Sequence, residues 1–280
     1  MFIDDVRKLL YKFLKSKNKN ISLIRDIIVA LFVVLLVLCL LWSYTGQWFA
    51  APIVAIESGS MEHPENAPFG RLGTIDAGDM VLVQKVYSKN DIAVHGGEFG
   101  GAQSVDGWHS YGDYGDVIIY YPDGDKTKTP IIHRAMCWVE VDITNNQRLY
   151  TIEEFGIYNQ SYIGPIKELG LDRSVTPDWD NSGYLTKGDN NDIFDNLPNN
   201  GILESNQPIK VEWISGKARL EIPWFGTINL LFSDIINGTN NIANVHTDCL
   251  ISLIIVIIIL VLIPIILDFF EYLKQKRDKQ

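Results

Sequence analysis

Hydrophobic and polar positions are distributed unevenly, in two long apolar blocks and a series of short apolar runs between them. Residues 27–42 are all apolar, and residues 249–267 are apolar except for Ser252 and Pro264. An α-helix needs about 20 mostly apolar residues to cross the hydrocarbon core of a bilayer. With Ser43 and Tyr44 added to the first block, we therefore predict two transmembrane helices, over residues 27–44 and 249–267.

A cleaved secretory signal peptide is the alternative for the first block. The segment before it is long for such a leader, and the block itself exceeds the roughly 7 to 15 apolar residues that are typical of a leader core. The small residues Ala50-Ala51 also lie well beyond the block. The pattern favours a retained helix, and under either interpretation the middle of the chain crosses the membrane.

Basic residues flank both apolar blocks on their outer sides, and cytoplasmic flanks are enriched in Lys and Arg. They are Arg7, Lys8, Lys12, Lys15, Lys17, Lys19 and Arg25 before the first block, and Lys274, Lys276, Arg277 and Lys279 after the second. This predicts a two-pass protein of the cell membrane. Residues 1–26 and 268–280 would be cytoplasmic, and residues 45–248 would form an external domain.

The segment between the blocks contains short runs of β-branched and aromatic residues bounded by Gly, Pro, Asp or Asn, which is typical of strands. These runs are Asp79–Val86, Gly115–Tyr121, Pro130–Ala135 and Lys210–Ile214. None has helical periodicity. We predict a mainly β external domain anchored by one N-terminal and one C-terminal transmembrane helix. Long polar stretches at about 87–114 and 144–182 are predicted to be insertions: lids, binding loops or a small subdomain.

Charge and cysteine content narrow the class of protein. Residues 43–248 hold 13 of the 24 basic residues and 28 of the 34 acidic residues, so this segment carries a net charge of −15. Such a surface repels nucleic acid, and we predict no nucleic-acid partner. Only Cys137 lies clearly inside the segment, so we predict no disulfide framework and no zinc site, and no motif indicates another metal or a cofactor.

A candidate nucleophile follows the apolar run Ala51–Ile56. Residues Glu57–Glu62 are predicted to form a small turn that contains Gly59. A strand that ends in such a turn exposes the Ser60 hydroxyl. Alone, Ser-Gly-Ser-Met is typical of ordinary turns. A serine also needs a base close by, because its hydroxyl is a weak nucleophile at neutral pH.

The chain offers five histidines as bases. His63 is too near Ser60 in sequence to fold back easily, His95 and His109 lie in the Gly-rich insertion, and His246 lies at the second membrane boundary. His133 is carried on an apolar strand, which can fix its position, although such a histidine is more often a core residue. Downstream, Tyr184–Asp195 is predicted to be a strand followed by a carboxylate-rich turn.

These segments, in this order, resemble the type I signal peptidase family, in the branch found in archaea and the endoplasmic reticulum. The matching segments are Ser58–Met61, Gly78-Asp79, Gly115–Val117, Ile132–Arg134 and Thr186–Asp195. The bacterial branch has a lysine base where this chain has His133. The resemblance therefore implies the Ser-His-Asp variant and a signal-peptidase-like β fold.

The resemblance implies a role for each candidate residue. Ser60 would be the nucleophile and His133 the base, with Asp195 as the first choice to orient His133 and Asp189 as the second. The Ser60 backbone N–H and the Ser58 hydroxyl are the candidate oxyanion donors. The activity implied is a serine endopeptidase that removes signal peptides after small residues.

We further predict that an extended substrate pairs with the strands at residues 53–56 and 80–83. The predicted substrate-binding residues are Ile53, Val54, Ala55, Ile56, Met80 and Leu82. The expected partners are signal-peptide-bearing precursors, the lipid bilayer and, where a complex forms, translocon or accessory subunits. Two alternatives stay open: a processing peptidase for a narrow set of pilin-like or surface-protein precursors, and a non-catalytic membrane-anchored scaffold.

Overall fold

The computed structural model describes residues 7, 11, 13, 15–16, 18–48, 50–63, 68–96, 108–166, 175–197 and 202–277. Parts of the predicted cytoplasmic ends and of both predicted insertions therefore lie outside the described residues. The chain divides into two compact units, Met1–Pro52 and Ile53–Gln280.

The first unit is built on one long helix, α1, Lys19–Thr45. The Asn18 side chain caps its start by accepting a hydrogen bond from the Asn20 N–H at 3.0 Å. Gly46 ends it in a left-handed conformation, with its N–H donating to the Trp42 carbonyl. None of the most apolar 18-residue window of α1 is buried. The helix is thus long and apolar enough to cross a membrane, and it includes the predicted span 27–44.

The second unit contains an antiparallel sheet of eight strands and a separate two-stranded hairpin. The strands are β1 (Ile53–Ala55), β2 (Met80–Gln84), β3 (His109–Ser110), β4 (Asp113–Tyr114), β5 (Val117–Tyr120), β6 (Ile131–Thr144), β7 (Gln147–Ile152), β8 (Ile157–Gln160), β9 (Gly183–Lys187) and β10 (Ile214–Ile222). The order in the sheet is β1-β2-β10-β5-β6-β7-β8, with β9 paired to β6, while β3 and β4 form the hairpin. Strand β1 is therefore at one end of the sheet and β8 at the other.

The second predicted insertion, 144–182, continues the sheet. Asn145 and Asn146 have φ values of 52° and 64°, which suits the two-residue turn that joins β6 to β7. Strand β7 then pairs with β8, and Tyr150 and Trp179 are buried in a core on this side of the sheet. The described part of this insertion therefore shares a packed core with β6 and β9, to which Cys137 and Leu185 belong.

The prediction of a strand over Lys210–Ile214 is wrong for most of that run. Residues Val211–Trp213 form a 3₁₀ turn, and β10 begins only at Ile214. The turn places the Trp213 ring against Gly124, where a Cβ would come within 2.6 Å of it, and the Tyr121 N–H donates to the Trp213 carbonyl. The apolar residues of this run thus pack against the domain from a 3₁₀ turn. Their composition is strand-like, so it does not distinguish this turn from a strand.

Two helices follow the last strand: α2, Gly226–Asn237, and α3, Thr247–Arg277. Helix α3 includes the predicted span 249–267, and only 11% of its most apolar window is buried. The structure thus confirms the coarse prediction of a mainly β domain with an apolar helix near each end of the chain. Two exposed helices of this kind suggest membrane anchoring, because their apolar surface is unfavourable in water.

Candidate active site

The candidate nucleophile lies in a turn that is anchored on both sides by buried apolar residues. Ile56 and Met61 are 2% and 1% exposed, and they pack in one cluster with Val81 and Val117. The Ile56 backbone is held by hydrogen bonds to Asp79 and Gly78, each 2.9 Å long. The turn between these anchors leaves Ser60 partly exposed.

His133 connects this turn to a buried carboxylate. It lies on β6 opposite Ile118 of β5, and it is 3% exposed. Its Nε2 atom is 3.0 Å from Ser60 Oγ, and its Nδ1 atom is 2.6 Å from Asp195 Oδ2. Both contacts are hydrogen bonds, so the His133 imidazole links the Ser60 hydroxyl to the Asp195 carboxylate. Such a histidine can accept the hydroxyl proton while the carboxylate orients its ring.

Asp195 is fixed by the strand that precedes it. Its N–H donates to the Thr186 carbonyl at 2.9 Å, which folds the turn after β9 back onto the strand. Its Oδ2 atom also accepts from the Tyr120 hydroxyl at 2.7 Å and the Thr186 hydroxyl at 2.7 Å. Burial, and then the charge of Asp195, raise the pKa of Tyr120 well above its usual value, so Tyr120 stays protonated and can donate.

Asp189, the second candidate to orient His133, is bound to other groups. Its carboxylate accepts from Arg134 Nε at 2.8 Å and from Arg134 Nη2, and its Oδ2 atom is 2.8 Å from His63 Nε2. Burial alone would raise the pKa of Asp189, but the hydrogen bonds from Arg134 and His63 outweigh it and lower this pKa. Asp189 is thus an ion-pair partner of Arg134, and Asp195 is the carboxylate that contacts His133.

The turn after β9 also holds the serine turn from the other side. The Asn190 N–H donates to the Ser60 carbonyl at 2.9 Å, and its side-chain amide donates to the Gly59 carbonyl at 3.0 Å. Gly188 is required by this close approach, because a Cβ there would be 2.5 Å from the Ser60 carbonyl oxygen and 2.9 Å from His133 Nε2. The segment Gly188–Asp195 thus positions both the serine and the carboxylate.

The two predicted oxyanion donors lie beside the serine hydroxyl. Ser58 Oγ is 3.4 Å from Ser60 Oγ. The Ser60 N–H donates to no group within the described part of the chain. The Ser58 hydroxyl is thus hydrogen-bonded to the Ser60 hydroxyl, and both predicted donors belong to the serine turn.

An open cavity of about 670 Å³ adjoins Ser60 and His133. Its walls include Val54, Ala55 and Ile56 on one side and Ile131 and Ile132 on the other. Three of the predicted substrate-binding residues, Val54, Ala55 and Ile56, thus line this cavity.

The other three, Ile53, Met80 and Leu82, do not line it. The prediction that a substrate pairs with the strand of Met80 and Leu82 is wrong. That strand, β2, is already paired with β1 on one side and β10 on the other. Its backbone has no free edge, whereas β1 is an end strand.

Sequence reasoning missed four residues that hold the site. Tyr120 contacts Asp195, Gly188 and Asn190 contact the serine turn, and His63 contacts Asp189 although the sequence argument set it aside. A tyrosine on a buried strand next to the histidine strand was the one available signal for Tyr120. In the described ranges no group of three or more His, Cys, Asp or Glu residues has a metal-binding arrangement.

Comparison with known proteins adds no assignment: no family model matches the chain, and no curated protein matches it.

Proposed function

We propose that this protein is a membrane-bound serine endopeptidase that removes signal peptides from secreted precursors. The observation that carries the proposal is the pair of contacts that His133 makes, 3.0 Å to Ser60 Oγ and 2.6 Å to Asp195 Oδ2. A non-catalytic scaffold has no need for a serine, a histidine and a buried carboxylate in one hydrogen-bonded chain. The short distances therefore count against that alternative.

The proposed reaction has two halves. His133 Nε2 takes the proton of Ser60 as Oγ attacks the scissile carbonyl, and the imidazolium then gives that proton to the leaving amine, so that the peptide bond breaks and an acyl-enzyme remains. Water, deprotonated by the same nitrogen, then attacks the ester; the bond to Ser60 Oγ breaks, the imidazolium returns the proton to that oxygen, and the signal peptide leaves with a free carboxylate. Asp195 stabilises the positive imidazolium in both halves. The Ser60 N–H and the Ser58 hydroxyl would stabilise the oxyanion.

The cavity supports an extended peptide as substrate. The outer edge of β1 has no strand partner in the described part of the unit, and Val54 and Ala55 of β1 line the cavity that leads to Ser60. An extended peptide that pairs with a free edge gains main-chain hydrogen bonds, and its alternate side chains enter pockets. Cleavage after small residues is what the family resemblance implies.

The position of the serine turn supports a membrane-inserted substrate. The Asn244 side-chain amide donates to the Glu57 carbonyl at 2.8 Å, and His246 Nε2 is 2.9 Å from Glu62 Oε2. Both Asn244 and His246 immediately precede the long apolar helix α3. If α3 crosses the membrane, Ser60 is held next to the bilayer surface, where the end of a signal peptide emerges. The basic flanks orient residues 45–248 to the external side.

The decisive experiment uses the full chain in lipid vesicles with a model secretory precursor. We expect wild type to cleave the precursor once, and Ser60→Ala and His133→Ala to abolish cleavage without loss of insertion. His133→Lys should not restore activity, because a lysine base needs a desolvated site to lower its pKa. Ser161→Ala, an exposed serine on another part of the domain, is the control and should be fully active.

Persistent cleavage by Ser60→Ala would contradict the mechanism. If wild type is inactive on the secretory precursor, the same set of variants is tested on pilin-like and surface-protein precursors. Cleavage there, dependent on Ser60, would establish the narrow-substrate alternative. Inactivity on all precursors, with translocon components supplied, would favour the scaffold.

A further inference from the structure

Helix α2 exposes a continuous apolar face that the peptidase mechanism does not use. The exposed residues are Ile228, Leu231, Phe232, Ile235 and Ile236, at exposures of 37%, 47%, 61%, 71% and 79%. Their spacing places all five on one side of the helix. Soluble domains rarely leave an apolar surface of this kind in water, so the face has an occupant.

The opposite side of α2 is fastened to the domain. At its start, the Trp224 N–H donates to Asp79 Oδ1 and the Thr227 N–H donates to the Gly78 carbonyl, both at 2.8 Å. The approach is so close that a Cβ on Gly226 would overlap the Asp79 carbonyl. Leu230, fully buried, packs with Ala77. The helix is therefore a rigid part of the domain and not a detached arm.

The end of α2 is fixed to the segment that leads into α3. The Asp234 carboxylate accepts hydrogen bonds from the Asn241 and Ile242 N–H groups, at 2.9 and 2.8 Å. Leu230 also shares one cluster with Val245 and Cys249, and Cys249 is the first residue of the apolar block of α3. Helix α2 therefore lies beside the point at which α3 becomes apolar.

A second segment with exposed apolar side chains is also bound to the start of α3. Phe69 and Leu72 are 66% and 51% exposed, and Gly70 between them is bound to the start of α3, its N–H donating to Asp248 Oδ2 at 3.0 Å. The ring N–H of Trp224, two residues before α2, donates to the Gly70 carbonyl at 2.7 Å. Two separate segments that expose apolar side chains are thus bound at the start of one apolar helix.

We infer that α2 is an interfacial helix, with its exposed face immersed in the lipid boundary between headgroups and acyl chains. The occupant is lipid because the face adjoins the beginning of α3, an apolar helix long enough to span a bilayer. The face also contains no charged residue, since the one charged residue of α2, Asp234, is buried. Free interfacial helices keep a charged face in water, whereas α2 packs that side on the domain. This inference rests on α3 crossing a membrane and does not depend on the peptidase proposal.

The interfacial helix would set the height of the cavity above the bilayer. Asn229, on the flank of the same helix, lines the cavity that leads to Ser60. Because α2 is fastened at both ends, immersion of its apolar face fixes how far the cavity stands from the lipid surface.

The test measures the depth of spin labels on the full chain in zwitterionic phosphatidylcholine vesicles. Labels are attached to Phe232→Cys and Ile235→Cys in a Cys39→Ala background, and a sample without an added cysteine corrects for the buried Cys137 and Cys249. Tyr158→Cys is the matched control, an aromatic residue of similar exposure, 56%, on β8 at the far end of the sheet.

We expect collisions with oxygen to exceed collisions with a water-soluble nickel chelate at residues 232 and 235, at a depth of about 5–10 Å. The order should reverse at residue 158. Nickel access at residue 232 equal to that at residue 158 would overturn the inference, since the face would then be in water. Low access to both reagents would also overturn it, because protein would cover the face. Neither readout requires cleavage, so failure of the peptidase proposal leaves this test intact.

Discussion

Asp195 Oδ2 lies 2.6 Å from His133 Nδ1, whereas Asp189, six residues earlier in the same turn, is bound to Arg134 and His63. The two carboxylates therefore perform different tasks. Asp195 contacts His133, the proposed base, directly, and Asp189 holds together the segments around it. This division makes the site testable, because the two residues should fail in different ways.

Asp195→Asn should lower turnover far more than stability. Loss of the oriented carboxylate costs about 10⁴ in kcat in a serine protease with this arrangement. Asp189→Asn should instead lower the free energy of unfolding by about 3–5 kcal/mol, because it leaves the buried Arg134 without its partner. Parallel measurement of kcat and Tm in detergent checks both. Equal effects of the two variants on kcat, with equal Tm, would contradict the division.

Tyr120→Phe should lower kcat by up to about a hundredfold with little change in KM. The hydroxyl donates to Asp195, and a hydrogen bond to a charged group contributes about 1.5–3 kcal/mol. Tyr121→Phe removes a hydroxyl one residue away and is the matched control. A loss of Tm without a loss of kcat would show that Tyr120 is only a packing residue.

Gly188→Ala should disrupt the site, since the added Cβ would collide with the Ser60 carbonyl oxygen at 2.5 Å. Overpacking of this kind costs about 1–3 kcal/mol, and displacement of Ser60 from His133 should remove most activity. Gly164→Ala, where a Cβ would meet nothing within 4 Å, is the control and should behave as wild type. Full activity of Gly188→Ala would mean that this approach is looser than the structure indicates.

The His63–Asp189 pair should make stability depend on pH. The hydrogen bond that His63 donates to Asp189 raises the pKa of His63 above 6.5, so its contribution is complete below that value and is lost as the pH rises through the raised pKa. The pKa of Asp189 is lowered, so its contribution is present above the ordinary value of 3.8 and is lost as the pH falls through the lowered pKa. The stabilisation is therefore greatest between about pH 4 and about pH 6.5.

Denaturant unfolding of wild type and His63→Gln in detergent micelles measures this contribution. The difference in unfolding free energy should be larger at about pH 5.5 than at about pH 8.5. His109→Gln, at an exposed histidine of β3, is the matched control. A difference between wild type and His63→Gln that is the same at both pH values would rule out the ion pair.

Local patterns were enough to predict some features of the site. The small turn at Ser60, the strand that carries His133 and the strand that leads into Asp195 are each encoded by neighbouring residues. What these patterns could not supply was the choice between Asp195 and Asp189. That choice depends on Arg134, which occupies Asp189, and on the hydrogen bond that folds Asp195 back onto Thr186.

The sequence by itself determined the two apolar helices and the mainly β domain between them. A membrane span requires a long uninterrupted apolar run, and a strand requires a short run of β-branched and aromatic residues, and both are visible in neighbouring residues. The tertiary structure alone decided that β2 has no free edge, that Tyr120 and His63 belong to the site, and that α2 lies beside the first apolar turn of α3. These are contacts between residues far apart in the chain. They follow from strand order and register, which are set by the packing of the whole domain.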